Sequence, residues 1–220
     1  MASNPSNAPA AESVLAQSAL VSRKARLTDR TLFFKKFLAK GRQISSAVPS
    51  SKALVAGLLR HVDFSRPGTI VELGAGTGPV TEQIVERLQP FHRFVAVEND
   101  ADFCDILRRR FPETTLLQMD ASRISDSLAG MSIHKVDFVV SGLPTPSLPP
   151  RAMIRLWQWL RRSLAPNGLF LQITVAPLVF RGFYDRLFSS VQYEMIWRNV
   201  PPGGVYKCSR PRRHLHLRRD

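Results

Sequence analysis

From residue 69 onward, apolar and polar positions fall into blocks of two kinds. Short runs dense in branched and aromatic side chains, at 69–73, 93–98, 115–119, 136–141 and 169–175, read as strands. Between them, apolar residues spaced three and four apart predict helices near 80–88, 101–111, 122–128 and 151–164, with Gly168 ending the last one. Further on, a helix is expected around 183–188 and a strand over 192–199. Pro201, Pro202, Gly203 and Gly204 form a turn into a final strand at 205–208, an antiparallel hairpin. Alternating strands and helices imply an α/β fold, a mostly parallel seven-stranded sheet with helices on both faces. Upstream, 1–22 is rich in Ala, Ser, Asn and Pro and reads as a disordered tail, and 23–48 as a basic amphipathic extension. Pro49, Ser50 and Ser51 open a helix to about His61, so the expected domain is 49–209, followed by a basic tail at 210–220.

The junction after the first strand carries the chemistry. Val71, Glu72, Leu73, Gly74, Ala75, Gly76, Thr77 and Gly78 stand where a strand hands over to a helix, and in open parallel sheets ligands bind beyond the carboxyl ends of the strands. A dinucleotide fold favours G-x-G-x-x-G and a phosphate loop ends in Gly-Lys-Ser/Thr; neither pattern is present. Glu72 repels a pyrophosphate but suits the cationic amino-acid end of S-adenosylmethionine. Glu98 closes the next strand, with Asn99 beside it, where a carboxylate accepts ribose hydroxyls. Asp120 closes the third strand, placed for an adenine amino group, and the Ala121 amide faces the ring. The expected cofactor set is therefore Glu72, Gly74, Ala75, Gly76, Gly78, Glu98, Asn99, Asp120, Ala121 and Ser141, with S-adenosylhomocysteine as product. The competing reading, that each acid only caps the next helix, fits one acid better than three at successive strand ends.

Composition narrows the partner. The chain has 220 residues, 44% hydrophobic and 22% charged, enough for one domain with its own core. Its 31 Lys and Arg against 17 Asp and Glu give a net charge of +14, which calls for an anionic partner, nucleic acid or membrane. Cys104 and Cys208 fit a reducing compartment, and no Cys and His cluster has metal-ligand spacing, so no metal is expected. No apolar run reaches the roughly 18 residues of a spanning helix, and the opening lacks the pattern of a secretory signal. The expected location is cytoplasmic, peripheral to the inner face of the cell membrane. His61, His92 and His134 have no visible partner, so no dedicated base is expected.

These residues resemble class I methyltransferases. Outside the cofactor motif the chain is similar to bacterial phospholipid N-methyltransferases, through Val48-Pro49-Ser50-Ser51, the glycine loop with Pro79-Val80-Thr81, residues 139–144 and residues 199–206. The similar pieces lie within about residues 37–207. The resemblance implies a Rossmann-like fold and methyl transfer to the headgroup amine of phosphatidylethanolamine, with its methylated derivatives as further candidate acceptors; no obligate protein partner is evident from the sequence. Thr145-Pro146 and Gly203-Gly204 depart from the family pattern. Ribosomal RNA adenine dimethyltransferases share the framework and supply an alternative; a membrane-binding protein that keeps only the fold is another.

For the acceptor, enzymes that methylate adenine stack the extruded base on an aromatic or apolar surface. Here the segment after the fourth strand is Ser141, Gly142, Leu143, Pro144, Thr145, with neither ring nor carboxamide, which disfavours nucleic acid. The expected acceptor residues are Ser141, Gly142 and Leu143, through backbone carbonyls, and Tyr206, whose ring offers a cation–π contact to the methylated ammonium. In the extension, Leu27, Phe34 and Leu38 share a helical line flanked by Phe33 and Phe37, with Lys35, Lys36 and Lys40 around it. Such a helix lays its apolar side below lipid headgroups and its cations on phosphates; packing of the same rings on the core is the competing reading.

Overall fold

The computed structural model describes residues 49–174, 179–198 and 202–213. Helix α1 (Pro49–Leu59) precedes β1 (Gly68–Leu73), α2 (Pro79–Val85), β2 (His92–Glu98), α3 (Ala101–Arg110) and β3 (Thr115–Gln118). A 3-10 turn, Ala121–Arg123, leads into α4 (Ile124–Gly130) and β4 (Val136–Ser141); a second, Thr145–Ser147, leads into α5 (Pro150–Ser163). The chain continues through β5 (Leu164–Thr174), α6 (Arg181–Leu187), β6 (Phe188–Ile196) and β7 (Gly203–Pro211). Seven strands form one sheet in the order β3-β2-β1-β4-β5-β7-β6, parallel except for β7, which runs against both neighbours. The expected α/β architecture and its antiparallel hairpin are both present.

Each central strand is buried on two faces, which is why it reads as a continuous apolar run rather than an alternation. Val71, Leu73, Val95, Val97, Val139 and Phe170 face the core under α4, α5 and α6, with Ile124, Leu128, Leu156, Trp159 and Leu187 opposite. Ile70, Phe94, Ala96, Phe138, Val140 and Leu171 face the other way, against Leu54, Val55 and Leu58 of α1, Ile84 of α2 and Leu107 of α3. Local signals set the helix ends. Pro79 opens α2 directly after Gly78, and the Asp100 side chain caps α3 by accepting from Phe103 N at 3.2 Å.

Three expectations are corrected. Gly168 does not end a helix: α5 stops at Ser163 and β5 starts at once, with a bulge between the pairs Val136↔Leu164 and Phe138↔Leu169. A Cβ on Gly168 would sit 3.0 Å from the Ala165 backbone, so the glycine lets the bulge fold back on itself. Gly203 and Gly204 belong to β7 rather than to a turn. Gly204 pairs with Thr174 and Met195, and the Tyr193 ring occupies the space a side chain there would take. The sheet also runs past residue 209: β7 extends to Pro211, and Arg212 N donates to Leu187 O at 2.8 Å. The tail 1–22, the extension with Phe33, Phe34, Lys35, Lys36, Phe37, Leu38 and Lys40, and residues 214–220 lie outside the described residues.

Candidate cofactor and acceptor site

The glycine loop crosses from β1 to α2 at the carboxyl edge of the sheet. Gly74, Gly76 and Gly78 all take positive φ, +74°, +58° and +90°, a region that costs other residues about 1–2 kcal/mol each. Their surroundings differ. A Cβ on Gly74 would strike Leu143, and one on Gly78 would strike Phe111 and Leu107, so these two are required by packing. A Cβ on Gly76 would meet nothing within 4 Å; it projects into open space above the loop, the place a nucleoside would take. Gly74 N and Ala75 N donate to Val97 O at 2.8 and 3.2 Å, and the Arg110 guanidinium donates to Thr77 O, tying the loop to β2 and α3.

Beneath the loop, Glu72 is 2% exposed and its Oε2 accepts from Thr81 Oγ1 at 2.7 Å. Burial pushes its pKa up to about 7, opposed by the Thr81 hydrogen bond and assisted by the nearby Glu98 charge. An acid held this way gains from a cation above it. Thr81 was not legible as a site residue, although a threonine on the inward face of an amphipathic helix is a signal of a buried polar partner.

Glu98 gathers three backbone donors: Gly76 N to Oε2 at 2.8 Å, and Asn99 N and Asp100 N to Oε1 at 2.7 and 2.9 Å. It therefore joins the β2 edge to the glycine loop and is no simple helix cap; Asp100 fills that role. Of roughly four acceptor positions on a carboxylate, one stays open. Accepting two ribose hydroxyls requires Gly76 N–H to give way. Asp120 is exposed, and its Oδ1 accepts from Ser122 N at 2.8 Å, so it does cap the following 3-10 turn while standing at the rim beside buried Ala121. The open cradle at Gly76, the buried acid and the two rim carboxylates together fit a cationic nucleoside.

The segment after β4 packs directly on this loop. Gly142 N donates to Leu73 O at 2.9 Å, and a Cβ on Gly142 would lie 3.0 Å from Gly74 O. Ser141 is fully buried and its Oγ accepts from Leu143 N at 3.3 Å. Leu143 O takes both Thr145 N at 2.9 Å and Gln172 Nε2 at 2.8 Å, so its lone pairs are used and it does not offer the expected acceptor carbonyl. Thr145, 2% exposed, links its hydroxyl to Tyr184 Oη at 2.6 Å and Gln172 Oε1 at 3.1 Å. These partners are 39 and 27 residues away in the chain, and no local pattern announces them.

Tyr206 is corrected too. Its ring is fully buried on the α5–α6 side of β7, 4.6 Å from Tyr184 and 4.9 Å from Tyr193 by ring centroid, and burial raises its pKa to about 12. It supports the floor under Thr145 and Gln172 and presents no face to an ammonium. His61 contacts Glu194 at 3.2 Å, while His92 and His134 lie at or before the amino ends of β2 and β4, the edge opposite the glycine loop. Among the described residues, no three His, Cys, Asp or Glu are placed to share a metal ion, and no helix is long and apolar enough to cross a membrane.

Residues 70–168 match a family described as methyltransferase domain. The ornithine lipid N-methyltransferase of Singulisphaera acidiphila is 39% identical over 185 residues, covering 83% of this chain and 96% of its own. The ribosomal RNA small subunit methyltransferase A of a Hydrogenobaculum strain is 29% identical over 94 residues, 43% of this chain and 34% of its own. Among solved structures, phosphoethanolamine N-methyltransferase 1 of Haemonchus contortus, with S-adenosylhomocysteine bound, superposes with a TM-score of 0.60 over 86% of this chain and 50% of its own, at 15% identity.

Proposed function

We propose, from the premise that the chain belongs to the methyltransferase family that includes the ornithine lipid N-methyltransferase, that it methylates the headgroup amine of a membrane lipid. S-adenosylmethionine is the methyl donor, in keeping with the family and the fit of the glycine loop. The observation that carries the lipid reading is the likeness to a lipid N-methyltransferase along nearly that protein's whole length, whereas the ribosomal RNA methyltransferase matches under half of this chain. The segment after β4 supports it. Where an adenine methyltransferase would present a ring for stacking, this chain has Thr145, buried and hydrogen-bonded inward.

In this reading the sulfonium of the donor supplies an already activated methyl group, so the protein's task is alignment, and orientation carries most of the rate. Buried Glu72 takes the donor's ammonium end, Glu98 and Asp120 take its ribose and adenine, and the loop at Gly142 stands where an amine approaches. Gln172 and Thr145 keep that loop in place from below. The proton lost by the amine passes to water or to an anionic group of the lipid. Within this class, ornithine lipid and phosphatidylethanolamine each carry a suitable amine. The basic aromatic stretch at 23–48 gives a membrane contact.

The test offers radiolabelled donor with vesicles containing ornithine lipid, vesicles containing phosphatidylethanolamine, and ribosomal RNA in parallel. Label extracted into an amino lipid is expected. Label in RNA alone would overturn the reading.

A further inference from the structure

The carboxyl edge of the sheet is not uniform. On the β2–β3 side its loops carry Asp100, Asp102 and Asp120, with Arg123 among them; on the side of β4, β5 and β6 they carry Arg151, Arg181 and Arg198. The same side holds two large apolar side chains turned to solvent, Val179 at 77% and Trp197 at 74% exposure. Leu73, Ser141, Gln172, Tyr206 and Tyr193 form one row across the sheet by register, and Trp197 follows Tyr193 by four residues toward the glycine-loop edge. Val179 follows Thr174, which is level with Gly204 and Met195. With β7 between β5 and β6, the two loops start roughly 10 Å apart, two strand spacings.

A tryptophan and a valine exposed to water, flanked by arginines, beside a loop that awaits a lipid amine, are arranged as an interfacial anchor is: an amphipathic ring for the headgroup layer and cations for its phosphates. We infer that the β4–β5–β6 side of the catalytic edge docks on an anionic bilayer, with Val179 and Trp197 entering the interface and Arg151 and Arg198 lying against lipid phosphates. This inference rests on the lipid-acceptor reading above. It places the membrane against the acceptor side and leaves the acidic donor side in water, so a headgroup reaches the Gly142 loop without leaving the bilayer. Arg181 contributes less, because its guanidinium lies 3.7 Å from Asp185.

The protein carries its own reporter. Trp157 and Trp159 are 6% and 2% exposed, so quenching by membrane lipids reads Trp197. The full chain is mixed with phosphatidylcholine vesicles, with and without phosphatidylglycerol, whose acyl chains are brominated. Expected are quenching that grows with phosphatidylglycerol and falls with salt, and its loss in Trp197→Phe. Trp197→Ser with Val179→Ser is expected to lower vesicle partitioning on the order of tenfold or more, and Arg151→Gln and Arg198→Gln about fivefold each at low salt. Methylation of vesicle lipid should fall in parallel, while donor affinity and methylation of a dispersed short-chain amino lipid should not. If vesicles bind with no quenching of Trp197, or if the rim variants alter self-association and leave partitioning untouched, the inference is overturned. Methylation of lipid by rim variants at full rate would refute the rim alone; insertion of Trp197 with no lipid methylated would refute the lipid-acceptor reading instead.

Discussion

Glu72→Gln tests whether the carboxyl under the glycine loop is held there at a cost that a cationic ligand offsets. In the folded protein its pKa is raised from 4.5 to about 7 by burial, and one pKa unit corresponds to about 1.4 kcal/mol, so the ionised side chain destabilises the ligand-free fold by about 3 kcal/mol. The folded state keeps a proton that the unfolded chain has already lost between those two values. The group's contribution to stability is therefore fully present below pH 4.5, declines as pH rises to about 7, and is level above. Glutamine has the shape of the protonated acid, can still accept from Thr81 Oγ1, and does not titrate. Denaturant unfolding of both proteins from pH 4.5 to 8 should give curves that coincide at the acidic end and separate to about 3 kcal/mol at the alkaline end, the variant being more stable. Cofactor binding should move the opposite way. Near pH 6 the parent releases a proton as the donor's ammonium settles above Glu72, a linkage visible by calorimetry in buffers of different ionisation enthalpy, and the variant binds more weakly without that release. A stability difference that is flat with pH, or a parent that binds without proton release, would refute the reasoning.

Gly76→Ala should cost the free protein about 1–2 kcal/mol in backbone strain, because its Cβ meets no atom, and should weaken S-adenosylmethionine binding far more than that in calorimetry. Glu98→Ala should also weaken it, and should loosen the glycine loop through the loss of the Gly76 N contact, visible as faster amide exchange there. Thr145→Val leaves the buried Tyr184 hydroxyl without this partner and should cost about 1–3 kcal/mol in denaturant unfolding, with turnover reduced and donor affinity unchanged. For Tyr206, Ala should lose about 3–5 kcal/mol as a core truncation; equal stability of the Ala variant would show the ring is not part of the core.

How far the sequence could be read depended on distance along the chain. The central strands were legible because they are apolar on both faces, and the glycine loop because three glycines at alternate positions between a strand and a helix have few other uses. Glu72, Glu98 and Asp120 followed from their places at strand ends. The floor of the acceptor loop was hidden, since Thr145, Gln172, Tyr184 and Tyr206 meet only after β5, α6 and β7 have assembled, and each alone looks like an ordinary residue of its element. Tyr206 stands out as an aromatic in the stretch 199–206 that resembles phospholipid N-methyltransferases, but strand alternation places it with Cys208 on the covered face. Gly168 and the Gly203-Gly204 pair misled because glycine marks helix ends and turns more often than bulges or strands crowded by a neighbouring ring.

The place of β7 has a consequence for the order in which the chain can fold. The strand made last among the seven lies between β5 and β6, and among the described residues β6 pairs with no other strand. During synthesis, then, β1 to β5 can assemble while β6 waits with both backbone edges unpaired until residues 203–211 have emerged and slid between the two. Open edges of this kind invite pairing with other chains. A nascent chain stalled before residue 203 should thus be the most aggregation-prone intermediate, with Ser190, Gln192 and Glu194 as the polar positions of the waiting strand that oppose such pairing.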